Sequence, residues 1–322
     1  MRTPALPAFV QRAERTHHRL IGAALFRIVL GVAGLEFYLS SYTERHLIWG
    51  PDGYLPHQGF HRLVQVADWS LYGLSGSAGF FELLFHLGLV TALAYTVLGG
   101  RLLTAAHFVL LSSLFLRNPQ ALDHAHLLAR ILLPLSIALV TDAYFSPLAR
   151  RRRTLLRRGE GRASTVSATL HNCALFLMIF QVCVVYLMAG LWKALNPLWR
   201  DGTAMYYTVH VALTDTGPVA ALVSWWPVTA FLTYGTVAIE IAFPLLVASR
   251  HHWVRTATLL AALCLHVGIA VILPLLNFSL VMIACDMLIL RDDDYRKLGG
   301  RAARLKRRAS SAEAVVLPQA PR

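Results

Sequence analysis

Between Leu20 and Leu290 the sequence runs in apolar blocks of about twenty residues, the length that crosses a bilayer core, divided by short segments rich in Lys and Arg. A chain patterned this way has few places to fold other than a membrane. Its composition agrees, being 56% hydrophobic and 15% charged, with a mean hydropathy of +0.54. A soluble domain of 322 residues needs more charge to cover its surface. The expected fold is an all-α, polytopic membrane helical bundle.

The blocks give the order of spans. The first, Leu20 to Ser41, is longer than a signal-peptide core and lacks a small-residue cleavage site, so it reads as retained. It carries Arg27 and Glu36, too far apart to pair on one helix, and each is expected to face a partner elsewhere. Further spans are expected over Gly79 to Leu98, from after the Gly99-Gly100-Arg101 turn to about Leu116, then one whose helix opens at Asp123 and which ends near Tyr144, over Leu170 to Trp192, and over Trp226 to Ala248. The last block, Thr256 to Leu290, is about 35 residues, too long for one ordinary span. Its kink-prone centre, Pro274 to Asn277, predicts a hairpin of two short helices. The sum is eight spans. Residues 1–19 then form a basic cytoplasmic N-terminus, 20–290 the membrane domain, and 291–322 a basic, disordered cytoplasmic tail. Residues 43–77, 117–126 and 193–225 fall on the external side, with the chain in the cell membrane.

The net charge of +13 raises the question of nucleic acid, but its placement answers it. Arg150 to Arg153, Arg157, Arg158 and Arg162 lie in one inter-span segment, and Arg301, Arg304, Lys306, Arg307 and Arg308 in the tail. Juxtamembrane clusters of this kind mark the cytoplasmic side and meet anionic lipid. Membrane lipid is the expected partner and nucleic acid is not. Cys173, Cys183, Cys264 and Cys285 all sit in apolar runs without CxxC spacing, so they read as packing residues. His124 and His126 point in different directions on a helix, and no metal is expected.

The segment that carries chemistry is QVCVVYLMAGLWKALNPLWRDGTAMYY, Gln181 to Tyr207. An apolar run arrives at Lys193, stops at Asn196-Pro197, and continues through Trp199, Arg200, Asp201 and Gly202. Lys193 is either an anchor snorkelling to the headgroups or a functional ammonium at the membrane face. Glu82, His86, His266 and Asp286 also lie in apolar blocks, where interhelical hydrogen bonding is their ordinary use. A transporter reading is weakened by the lack of an inverted repeat.

The stretch YLMAGLWKALNPLWRDGTAMYY resembles the hallmark motif of the HTTM domain family, bacterial membrane proteins related to vitamin K-dependent gamma-carboxylase. FRIVLGVAGL, WGPDGYLP and SLFLRNPQALDHAHLLARILLPL fit the same family in the same order, over about residues 20 to 290. The resemblance implies that Lys193, following Ala189-Gly190, is the base that deprotonates a reduced quinone, menaquinone or vitamin K hydroquinone, with His124 assisting. Oxygen and carbon dioxide are then co-substrates. It also places Trp199 and Gly202 at the turn that follows the lysine. Substrate or cofactor binding on the external face is expected from these two with Tyr186, Trp192, Asp201, Arg130 and Glu240, Arg130 otherwise pairing with a carboxylate or bracing the external loop. The chain ends soon after its last span, so the expected substrate is a small carboxylate or a peptide presented by another protein. Short members of the family also include factors that mature a secreted toxin peptide, an alternative without redox chemistry.

Overall fold

A computed structural model of the chain describes residues 16–64, 67–158, 162–213, 217–273 and 275–300. Among the described residues all regular structure is helical, and no strand occurs. The main helices are α1 (Leu20–Ser40), α2 (Arg45–Trp49), α3 (His57–Leu63), α4 (Ala78–Val97), α5 (Arg101–Arg117), α6 (His124–Ser136) and α7 (Ala149–Arg158). They are followed by α8 (Arg162–Leu195), α9 (Pro197–Arg200), α10 (Ala204–Leu213), α11 (Pro218–Val223), α12 (Trp226–Ala248), α13 (His252–Ile272) and α14 (Leu276–Asp286).

Five of these, α1, α4, α12, α13 and the Ser164–Leu195 part of α8, are long and apolar enough to cross a membrane. The other three helices expected to span are shorter, at 17 residues for α5, 13 for α6 and 11 for α14. At 1.5 Å per residue these reach only about 26, 20 and 17 Å. The expected fourth span therefore stops early. Pro134 removes one backbone donor inside α6, the helix ends at Ser136, and residues 137–148 continue as turns and bends. The last block also differs from two equal short helices, because α13 has 21 residues and only α14 is short. The turn falls between them as expected, although Pro274 itself lies outside the described residues.

The short helices are interior ones. α14 packs against α1, α6, α8 and α13, and α6 against α5, α8 and α14. The irregular segments that follow them are buried at Leu139, Val140 and Leu288 to Leu290. Non-helical backbone at membrane depth persists only where protein shields it and its polar groups find partners. Here polar side chains supply them. Val140 N–H donates to His171 Nδ1 at 2.9 Å, and Arg19 donates to the Leu288 carbonyl. Tyr295 Oη donates to the Met287 carbonyl at 2.7 Å. Arg27, fully buried, donates to the carbonyls of Val97 and Phe145, so its expected partner is backbone rather than a carboxylate. Glu36 accepts from the Asn277 amide.

The two ends of the helical bundle meet. The Leu20 and Ile21 N–H groups donate to the Asp292 carboxylate at 3.2 and 2.8 Å, placing an anion at the start of α1. Residues 292–300 are helical, which corrects the expectation of a disordered tail for that part. Arg255 holds Asp294 through three hydrogen bonds of 2.7–2.9 Å, with both side chains buried. Residues 1–15 and 301–322, which hold the remaining basic clusters of the termini, lie outside the described residues.

Candidate functional site

The apolar run of α8 breaks where the sequence says it should. Pro197 cannot extend the helix, and Asn196 caps the next one by accepting from Leu198 N–H at 3.0 Å. The four-residue α9 then carries Trp199 back over the last turn of α8. Its ring centroid lies 5.2 Å from Lys193 Nζ, within cation–π range. Gly202 closes the turn at φ +75°, and a side chain there would meet the Tyr234 ring at 2.9–3.0 Å. Tyr234 in turn donates to the Arg200 carbonyl at 2.9 Å.

Lys193 is not a free anchor. Its Nζ lies 2.6 and 2.8 Å from the two carboxylate oxygens of Glu240 on α12. Gly190 makes this approach close: a Cβ there would sit 2.8 Å from Ile241 Cγ1 and 3.0 Å from Glu240 Cβ. The Glu240 side chain is 8% exposed and that of Lys193 26%. The pair forms the polar end of a cavity of about 350 Å³ bounded by α10, α12, α13 and the start of α14. Its walls include Leu232, Ile269, Leu273 and Phe278, with Thr236 among the few polar groups. Cys264 and Leu275 line it and are exposed, so the cavity opens sideways through the bundle surface.

Further into the bundle is a second polar cluster. Tyr186, two turns before Lys193 on α8, places its Oη 2.7 Å from His266 Nε2 and donates to Asp286 at 2.9 and 3.1 Å. Its ring stacks on Phe243 with centroids 3.7 Å apart and planes 8° apart. All three polar side chains are buried, and His266 also contacts Phe278 of the cavity wall at a centroid distance of 6.0 Å. His266 and Asp286 do serve interhelical hydrogen bonding. What the sequence conceals is that they converge on Tyr186, from positions 80 and 100 residues away.

The other candidates are placed elsewhere. Trp192 is 75% exposed on the outer side of α8. Asp201 caps α9 and is exposed, without an ion pair to Lys193. His124 opens α6, is exposed, and lines no part of the cavity. Its neighbour His126 is the buried one, packed between Phe37 and Phe115. Its Nδ1 lies 2.7 Å from Asp123 Oδ1, and Asp123 also accepts from the Ala125 and His126 N–H groups. Burial pushes the Asp123 carboxyl up, but the hydrogen bonds from His126 and from these two N–H groups prevail and hold it below its usual range. Arg130 lines a separate cleft with Trp69. Glu82, expected among helices, is held from the first loop by Arg45 and His46 at 3.0 and 2.6 Å. Among the described residues no group of three His, Cys, Asp or Glu lies together in a way that could hold a metal ion.

No family model matches the chain, and no solved structure matches it. Among curated proteins it is similar to YitO of Bacillus subtilis (strain 168), itself described as uncharacterized, at 32% identity over 124 residues. That match spans 37% of this chain and 40% of YitO.

Proposed function

We propose that this is a cell-membrane enzyme of the vitamin K-dependent carboxylase type, using a reduced quinone, oxygen and carbon dioxide, with Lys193 as base and its site on the external face. The observation that carries the reading is the Lys193–Glu240 pair at the polar end of an open, apolar cavity. The cavity falls in the range of about 300–1,000 Å³ usual for small-molecule sites, and it has the character such sites have, apolar walls with few polar groups. These residues fit the head of a hydroquinone: apolar walls for the ring and one acid–base pair for a hydroxyl. The likeness of the Lys193 segment to the HTTM motif supports the same assignment.

With Lys193, Glu240 and the cavity walls holding it, a reduced quinone would supply, together with oxygen, the strong base that a carbon-bound proton requires. The chain supplies the first proton transfer. Moving a proton from Lys193 Nζ to Glu240 Oε1 over 2.6 Å turns the ion pair into a neutral amine and acid. The freed amine would then be placed to take a proton from a hydroxyl held at the polar end of the cavity, and as an ammonium it would stabilise a negative charge there. Trp199 covers the amine, and the apolar walls exclude water that would compete for it.

The topology we assign is eight crossings with both termini cytoplasmic. Five long helices alone would leave the ends on opposite sides, whereas residues 20 and 21 bind Asp292 directly. The arginines of α7 lie on the side the positive-inside rule makes cytoplasmic.

One observation favours a second reading, a non-redox maturation factor for a secreted peptide. Both Glu240 oxygens are engaged by Lys193, an arrangement that also suits a plain interhelical clamp. Titrating menadiol into the full chain in lipid nanodiscs separates the two. The carboxylase reading expects saturable quenching of tryptophan emission that disappears in Trp199→Phe and weakens at least tenfold in Lys193→Ala. Equal binding by wild type and Lys193→Ala, or none by either, transfers the assignment to the maturation factor.

A further inference from the structure

Among the described residues the buried or half-buried arginines are matched to partners, with one exception. Arg27 donates to two carbonyls, Arg117 to those of Gly50 and Leu55, and Arg255 to Asp294. Arg130, half-buried at the middle of α6, makes no hydrogen bond or ion pair among the described residues. A charge at membrane depth is held by a counter-charge or by carbonyls unless something outside the chain provides one. The cleft it lines, about 380 Å³ between α5 and α6, is also lined by Ser112. Ser112 Oγ is buried there with no hydrogen-bond partner.

The remaining walls describe what is missing. Phe108, Val109 and Leu116 form an apolar track along α5, and Val109 is exposed at the bundle surface. Trp69 stands at the mouth, 82% exposed, on a turn fixed to α5 by Ser70 Oγ donating to the Ser113 carbonyl at 2.7 Å. An indole at this position suits a membrane–water interface. Arg130 lies six residues into α6, about 9 Å below the start of that helix, close to the depth of one headgroup layer of about 5–8 Å. The geometry points to a site for the phosphate of an anionic phospholipid, held by the Arg130 guanidinium, with an acyl chain along Phe108 and Val109. Guanidinium offers the forked, charge-assisted bonds that a phosphodiester takes. The site is separate from the Lys193 cavity and does not depend on its chemistry.

The test is native mass spectrometry of the full chain released from detergent micelles after titration with phosphatidylglycerol. Diacylglycerol of the same chains and inorganic phosphate serve as comparison probes. The wild type is expected to retain one phosphatidylglycerol per chain, with neither diacylglycerol retained nor lipid displaced by millimolar phosphate. Arg130→Gln is expected to weaken retention at least tenfold, which is about 1.4 kcal/mol. Val109→Trp, which fills the cleft and leaves the arginine in place, is expected to do the same and decides the matter if Arg130→Gln does not fold. Retention unchanged in either folded variant, or diacylglycerol held as well as phosphatidylglycerol, overturns the site. Displacement by inorganic phosphate overturns the lipid and leaves a free-anion site.

Discussion

Lys193 and Glu240 face each other from neighbouring helices, with Nζ 2.6 Å from one carboxylate oxygen and 2.8 Å from the other. The contact exists because Gly190 lets α8 and α12 pack closer than any side chain would allow. Glu240 is the buried member and Lys193 is 26% exposed, so removing one partner costs less than the roughly 3–5 kcal/mol of a fully buried pair. Lys193→Met and Glu240→Gln should therefore each destabilise, and the double variant by clearly less than their sum. Thermal unfolding of the four proteins in detergent measures the coupling; additive losses would mean that the pair is not formed.

Gly202 offers a cleaner test of the turn that carries Trp199. Its φ of +75° and the Tyr234 ring at 2.9–3.0 Å both exclude a side chain. Gly202→Ala should cost about 1–3 kcal/mol and shift Trp199 emission. Gly235→Ala on α12, with open space around its position, should be neutral or slightly stabilising. Similar melting temperatures for the two variants would refute the turn geometry.

Tyr186 joins His266 and Asp286, which are themselves 3.6 Å apart. Tyr186→Phe keeps the stacking on Phe243 but strips both groups of their shared hydroxyl. The expected loss is about 1–3 kcal/mol, the penalty of an unsatisfied buried polar group. Adding Asp286→Leu and His266→Phe to Tyr186→Phe should recover part of it, as judged by chemical denaturation, because no orphan then remains.

How much of this was readable from residues alone depends on distance along the chain. The five long apolar helices, the break at Asn196-Pro197 and the placing of Trp199 near Lys193 follow from local signals: apolar length, a proline, a capping amide. The short reach of α6 and α14 does not, because their apolar sequences resemble those of spanning helices. What ends them is burial in the middle of the bundle, with Pro134 assisting in α6 and His171 and Arg19 satisfying the exposed backbone. Glu240 as the partner of Lys193, and the meeting of Tyr186, His266 and Asp286, needed the tertiary fold. His124 was the more visible histidine in the motif, yet His126 is the one that packs.

Asp123 caps α6, and its hydrogen bonds hold its carboxyl below the usual range. A carboxylate shifted this way stabilises the fold above its unfolded pKa, about 3.9, and the contribution fades as pH falls through the lower folded value. Near neutral pH, Asp123→Ala should cost about 1 kcal/mol. The gap to wild type should narrow as the pH drops below about 4. A gap that widens in acid would contradict the cap.

The most direct measurement is oxygen-dependent epoxide formation from vitamin K hydroquinone or menaquinol by the full chain in lipid nanodiscs, with wild type, Lys193→Arg and Lys193→Ala side by side. Arginine preserves the ion pair to Glu240 but stays charged, so it separates a clamp from a base. The account predicts epoxide from the wild type and none from either variant. Epoxide made equally by Lys193→Arg, or none made by a wild type that binds the quinol, would contradict it.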